Sequence, residues 1–220
     1  MGLISASFST NPLTLPASLA DAEAELAGAS PLTIIEWALA QATHPLLTTN
    51  FRPGSAALLH LVTRVRPDLP VVWVDTGYNT PATYRYVEHL CSAWQLDLRV
   101  YTPRLTVARL AAAGGPPRTD SAGFARFVRE TKLEPFERAF NELAPDVWFT
   151  GVRRDQSEFR AGLGVVSRGA ANSLRVAPLL DWGAVEVADY LARNGIADND
   201  DYVDPTKPGS HLECGLQRLR

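Results

Sequence analysis

Residues 46–94 read LLTTNFRPGSAALLHLVTRVRPDLPVVWVDTGYNTPATYRYVEHLCSAW and hold two strand-to-helix units in succession. The run VVWVD (71–75), bounded by Pro70 and Gly77, is apolar without alternation, as a parallel strand covered on both faces must be. LLTTN (46–50) is a shorter candidate of the same kind, followed by the turn FRPG (51–54) and the helix SAALLHLVTRVR (55–66). After the second strand, PATYRYVEHLCSAW (81–94) predicts a helix that starts behind Thr80 with Pro81 at its first position.

Outward from this stretch the alternation continues. LRVYT (98–102), VWFTG (147–151) and LRVAPL (174–179) are further strands, separated by helical stretches at 105–112 and 133–143. Strands alternating with helices predict an α/β fold, a mostly parallel open sheet flanked by helices. Upstream, Leu19 to Ala27 and Leu32 to Ala42 show helical spacing, with Ser30 and Pro31 as N-cap and first residue of the second segment. The segment AGGPPRTDSAG (113–123) reads as a surface loop. From Ala197 to Arg220 the chain carries four aspartates, two prolines and two glycines with little periodicity, the composition of a mobile tail. One domain is expected, with a helical cover over 1–44, a nucleotide-binding core over 45–196 and the tail over 197–220.

The 21 Lys+Arg against 24 Asp+Glu leave a net charge of -3, so no global basic field gathers nucleic acid or an anionic membrane. An anionic ligand must be held locally. Cys91 and Cys214 lie far apart, and neither they nor His44, His60, His89 and His211 show metal-ligand spacing, so no metal site is expected. No run of 18 apolar residues occurs, and the first residues lack the basic start and apolar core of a secretion signal. A cytoplasmic protein with free thiols is the expectation.

Ligands of parallel α/β sheets bind beyond the carboxyl ends of the strands. Thr48, Thr49 and Asn50 end the first strand, and Gly54 and Ser55 open the next helix, where free N–H groups and the helix dipole favour phosphate. Asp75, Thr76 and Gly77 stand at the equivalent place after the second strand. Either turn alone is a common way to end a strand; the pair in register points to a nucleotide cradle. Arg153, Arg154, Arg160, Arg168 and Arg175 face only Asp155 and Glu158 in the stretch after VWFTG, a local cationic excess suited to phosphate or sulfate. On helix 81–94, Cys91 shares a face with Tyr84, Val87 and Trp94 and reads as an inert, buried residue. Cys214 lies in the polar tail with Arg218 and Arg220 nearby, where cationic neighbours favour a thiolate.

The stretches HLVTRVRPDLPVVWVDTGYNTPATYR, KLEPFERAF, WFTGVRRDQSEFR, APLLDW and ECGL (213–216), in this order, resemble the phosphoadenylyl-sulfate reductase family. That resemblance implies a fold of the PP-loop nucleotide-binding type, a homodimer, and release of sulfite and adenosine 3',5'-bisphosphate from an adenylyl-sulfate nucleotide. It also implies that Cys214 is the nucleophile, forming an S-sulfocysteine that thioredoxin, or glutaredoxin, discharges. The family's phosphate loop matches Thr48 to Ser55, its Asp-Thr-Gly turn matches Asp75 to Gly77, its lysine before Glu-Pro matches Lys132, and its arginine block matches Arg153 to Ser157 with Arg160 beyond. Thr131 and Lys132 stand where cluster-bearing relatives have paired cysteines, so the resemblance implies the branch without an iron–sulfur cluster, which takes the 3'-phosphorylated substrate. Departures from the family pattern are Gln217 for a histidine, Arg52-Pro53 in the phosphate loop, and a short segment between Asp201 and Glu213.

Two other readings share this fold. One is a PP-loop enzyme that uses ATP, an adenylyltransferase or sulfurtransferase, whose usual Ser-Gly-Gly-x-(Asp/Ser)-Ser loop is absent here. The other is a nucleotide-binding relative with impaired catalysis, against which the ECGL stretch speaks.

Overall fold

The computed structural model describes residues 18–206. Strands β1 (Pro45–Thr49), β2 (Val71–Val74), β3 (Leu98–Tyr101), β4 (Val147–Thr150), β5 (Val166–Arg168) and β6 (Leu174–Val176) form one sheet in the order β3-β2-β1-β4-β6-β5. All neighbours pair in parallel except β5, which runs antiparallel to β6. β1 lies inside the sheet, with Leu47 opposite Val71 on one side and Phe149 on the other.

The apolar runs are continuous because both faces are covered. Leu47, Val71, Trp73, Phe149 and Val176 point into a large core with the helices α1 (Leu19–Glu25), α2 (Pro31–Gln41), α3 (Ser55–Val65), α4 (Pro81–Trp94) and α9 (Ala184–Arg193). Leu46, Val72 and Trp148, one residue out of step, point into a smaller core under α7 (Glu134–Leu143). There Phe136 and Phe140 stack at 4.3 Å and both meet Trp148, with ring centroids at 5.4 and 5.2 Å.

The caps expected from the sequence are formed. The Ser30 hydroxyl accepts from the Thr33 amide at 3.2 Å and the Thr80 hydroxyl from the Thr83 amide at 3.1 Å, each with proline at the first helical position. α5 (Val107–Ala112) falls in the expected stretch, and residues 113–123 hold no helix or strand. Elements the sequence pattern does not announce are α6 (Phe124–Val128) running into a π-helical turn (Arg129–Leu133), α8 (Glu158–Ala161), β5 and α9. No helix among the described residues is long and apolar enough to cross a membrane.

Residues 197–206, the start of the stretch read as a mobile tail, carry no helix or strand, yet they are tied to the core as a strap. Asn199, 3% exposed, donates to the Phe51 carbonyl at 2.6 Å and to the Thr83 hydroxyl at 3.0 Å. The Asp201 carbonyl accepts from Thr80 and Thr83 at 2.8 and 2.9 Å. An aspartate-rich composition suggests solvated chain, but these bonds are made by one amide side chain and a main-chain carbonyl, which composition does not weigh.

Asp146 fixes the entry to the central strands. It is 5% exposed and accepts from the Thr43 amide at 2.6 Å and the His44 amide at 2.9 Å, joining the start of β4 to the start of β1. Asp146→Ala strands two amides and is expected to lower the unfolding free energy by about 1–3 kcal/mol in urea denaturation. A loss within error of zero would show that water replaces the carboxylate.

Candidate functional site

At the carboxyl ends of β1 and β4 a cavity opens that is lined by Thr48, Thr49, Asn50, Arg52, Pro53, Gly54, Ser55, Lys132, Gly151, Arg153, Gln156, Arg160 and Asp204. Sequence reasoning placed most of these. The phosphate loop is held by its own polar side chains: Thr48 Oγ1 accepts from Trp148 Nε1 at 2.8 Å, and Thr49 Oγ1 from the Phe51 amide at 3.2 Å. Asn50 donates to the Tyr202 hydroxyl at 3.1 Å. Phe51 adopts φ +52, unusual for an aromatic residue, and its carbonyl faces the buried Asn199 amide. Gly54 adopts φ +79 just before α3, and its N–H donates to both oxygens of Asp198, at 2.8 and 2.9 Å.

Asp75, Thr76 and Gly77 sit after β2 on the same edge but do not line this cavity. The Asp75 carboxylate turns into its own loop, accepting from Gly77 N–H at 2.8 Å, Asn79 Nδ2 at 2.8 Å and the Tyr84 hydroxyl at 3.0 Å. Burial, reinforced by Asp75, pushes the Tyr84 hydroxyl up to about 12. The turn thus shapes the neighbouring rim instead of forming the wall of the cavity.

The arginine stretch divides. Arg153 and Arg160 line the cavity, the first paired with Asp155 at 3.1 Å and the second, 7% exposed, with Nη1 on Gln156 Oε1. Arg154 points elsewhere: Nε pairs with Asp181 at 2.6 Å, and Nη1 donates to the carbonyls of Ala161 and Leu163. It braces the chain around α8 and does not line the cavity, unlike Arg153 and Arg160, with which the sequence grouped it. Arg168 on β5 and Arg175 on β6, where Arg175 Nε meets Ser167 Oγ at 2.8 Å, also lie off the cavity. Adjacent arginines in an irregular segment cannot be sorted without knowing which way each residue faces.

Lys132 lies in the π-helical turn, 6% exposed, and its ammonium pairs with Asp204 and meets the Thr206 hydroxyl at 3.2 Å. Burial alone would raise the Asp204 carboxyl, but the Lys132 charge and the Thr206 hydroxyl and amide hold it below the usual carboxylate range. Arg52, Gln156 and Asp204 line the cavity and Asp198 holds the Gly54 N–H beside it; Arg52 and Gln156 fall inside the matched stretches 48–55 and 153–157 without being singled out as candidates, and the two aspartates were not singled out at all. Among the described residues no group of three or more His, Cys, Asp or Glu side chains has the geometry of a metal site. Cys91 is partly buried on α4, and burial, then Glu88, raises its thiol pKa, so it is a poor nucleophile. Cys214 lies outside the described residues.

A mostly parallel sheet with a cation-lined cavity over its carboxyl edge defines an open α/β protein of the class that binds its ligands at that edge. The comparisons go further. A family model described as the phosphoadenosine phosphosulfate reductase domain matches residues 44–202. A phosphoadenosine 5'-phosphosulfate reductase of Synechocystis sp. is 38% identical over 178 residues, covering 79% of this chain and 71% of that one. Its counterpart in Escherichia coli O157:H7 is 35% identical over 183 residues, covering 81% and 74%. The chain belongs to the phosphoadenosine phosphosulfate reductase family. In fold it is similar to the phosphoadenylyl-sulfate reductase of Candida auris solved with phosphate, at TM-score 0.75 and 22% identity over 87% of this chain and 92% of that one. It is also similar to Candida glabrata FMN adenylyltransferase, at TM-score 0.57 and 16% identity over 84% and 62%.

The buried pair Lys132–Asp204 sets a pH dependence. The folded Asp204 pKa is depressed, so its stabilisation is present above the unfolded value of about 3.9 and is lost as pH falls through the folded value. Hydrogen-exchange protection of residues 197–206 should therefore hold at neutral pH and decline on acidification below that range. Asp204→Asn removes the carboxylate paired with the buried ammonium and should lower stability by about 3–5 kcal/mol in urea titration. Protection in the variant equal to wild type at pH 7 would show that the strap is held by its other contacts.

Proposed function

We propose that this chain reduces 3'-phosphoadenylyl sulfate to sulfite and adenosine 3',5'-bisphosphate in assimilatory sulfate reduction. Family membership supports the reaction, and the observation that carries the assignment to this site is the convergence of Arg52, Arg153, Arg160 and Lys132 on one cavity at the α3 N-terminus. Those groups, with Ser55 and the phosphate-loop amides, bind the anionic part of the nucleotide; Thr48, Thr49 and Asn50 shape the loop. Asp75 to Gly77 shape the adjoining rim.

Cys214 follows Thr206 by eight residues, a reach of at most about 28 Å, and the Thr206 hydroxyl contacts Lys132 on the cavity wall. A span of that length is compatible with Cys214 acting at the cavity. The Cys214 thiolate attacks the sulfur of the bound nucleotide; the new S–S bond forms as the bond from sulfur to the bridging oxygen breaks, and its electron pair stays on the 5'-phosphate. A thiolate of thioredoxin, or glutaredoxin, attacks the resulting S-sulfocysteine and releases sulfite, and its second thiol resolves the mixed disulfide, supplying two electrons. The chain carries no iron–sulfur cluster in this reading, since Thr131 and Lys132 replace the family's cluster cysteines. It acts in the cytoplasm as a homodimer, on a nucleotide and a thiol reductant, without nucleic acid or membrane.

Given substrate under anaerobic conditions without reductant, the protein should gain the mass of one SO3 group on the peptide containing Cys214. Cys214→Ser should abolish sulfite release and keep nucleotide binding, and Cys91→Ser should keep turnover. An adduct on Cys91 would refute the assignment. In calorimetric titration, Arg160→Ala should weaken adenosine 3',5'-bisphosphate about tenfold or more, the value of one charge-assisted hydrogen bond. Arg154→Ala should bind within about twofold of wild type, having lost no ligand contact. Equal losses in both variants would return Arg154 to the anion wall.

A further inference from the structure

Several of the donor groups at the cavity already have a carboxylate partner from within the chain. The Arg153 guanidinium is paired with Asp155, Lys132 with Asp204, and the Gly54 N–H with Asp198. Arg52 differs. Its main chain is fixed in the phosphate loop, with the amide on Asn50 Oδ1 at 3.4 Å and the carbonyl accepting from Ser55 N–H at 3.0 Å. Its guanidinium lines the cavity, and no carboxylate among the described residues lies within ion-pair distance of it. Burial, then the charges of Arg160 and Arg153, lowers its pKa, so the group is held charged against its surroundings.

Beside it, Ser55 Oγ and Gln156 Nε2 line the same cavity, are buried and have no hydrogen-bond partner. Gln156 Oε1 is already engaged by Arg160 and by the Arg153 amide, which leaves only the donor end of that side chain free. The three free groups are thus a guanidinium, a hydroxyl and an amide N–H2, all able to donate. Their ligand must offer acceptors in a compact, charged array, which is an oxyanion and not an adenine edge.

We propose that Arg52 is a specificity-determining residue for the 5'-phosphoryl group of the nucleotide, with Ser55 and Gln156 completing its oxyanion pocket. The inference rests on the proposed function. Arg52 belongs to the loop that leads into α3, where free amides and the helix dipole favour a phosphoryl group, and Asn50 of the same loop donates to Tyr202 of the strap. The 5'-phosphoryl group is also the one whose charge grows. When sulfur leaves it for the thiolate, the electron pair of the broken S–O bond remains on its oxygen, and it passes from one negative charge to two. A desolvated guanidinium placed there binds the later, more charged species more strongly.

The test uses Arg52→Met and Arg52→Lys in the full chain, titrated calorimetrically with adenosine 3',5'-bisphosphate, adenosine 5'-monophosphate and adenosine 3'-monophosphate. Arg52→Met should weaken the two ligands with a 5'-phosphate about tenfold or more and leave adenosine 3'-monophosphate within about twofold. Arg52→Lys should recover part of the loss. Without ligand, Arg52→Met should melt at a higher temperature than wild type, because the variant removes a buried like charge. Loss confined to adenosine 3'-monophosphate, equal loss for all three ligands, no loss at all, or a lower melting temperature would each overturn the assignment. If the wild-type protein bound none of the three, the proposed function itself would fall.

Discussion

Like charges gathered in a half-dry cavity repel one another and lose hydration, and the arrangement around this cavity follows from that constraint. The N-terminus of α3, Arg52, Arg153, Arg160 and Lys132 meet at the carboxyl edge of the sheet. Compensation is local: Asp155 pairs with Arg153, Asp198 with the Gly54 N–H and Asp204 with Lys132, and the last two carboxylates belong to the strap. Without ligand the balance is incomplete at Arg52, and the fold carries that deficit through the stability of its two apolar cores.

The strap is therefore both a countercharge and a mechanical link. Asp198 answers the phosphate loop, Asn199 joins Phe51 to Thr83, Asp201 caps the hydroxyls at the start of α4, and Asp204 answers Lys132. These contacts reach the ends of β1 and β2 and the π-helical turn before α7. In the proposed reaction an anion entering the cavity would compete with Asp204 for Lys132 and so loosen one anchor of the strap. In that reading, occupancy of the site and the hold on the strap are coupled through charge.

The sheet was legible in the sequence because strands buried on both faces leave a pattern that needs no context, and VVWVD and VWFTG keep that pattern. α4 was legible to the residue, since Thr80 and Pro81 mark its start chemically. α9 was not: it begins after Gly183, where the cap is made by Glu186 reaching back to the Gly183 amide at 2.9 Å. β5 is three residues long and owes its existence to pairing with β6, a tertiary fact. At the site, residue type was readable and direction was not. Arg153 and Arg154 are identical neighbours with different fates, Asp75 turns inward where a ligand was expected, and four tail aspartates look alike although Asp198 and Asp204 each have a specific partner.

Gly54 shows how an unannounced element enters the site. A Cβ at this position would stand 3.0 Å from Val187 Cγ1 and 3.4 Å from Arg153 Nη1. Val187 is a buried residue of α9, so that helix presses on the phosphate loop from the core side while Arg153 closes on it from the cavity side. At φ +79 the glycine also holds a conformation that side-chain-bearing residues rarely adopt. Its lack of a side chain thus satisfies three demands at once: the turn into α3, the seating of α9, and the approach of a guanidinium to the helix N-terminus. The first was visible in the sequence as a strand-to-helix turn, whereas the other two exist only once α9 and the loop after β4 have folded against it.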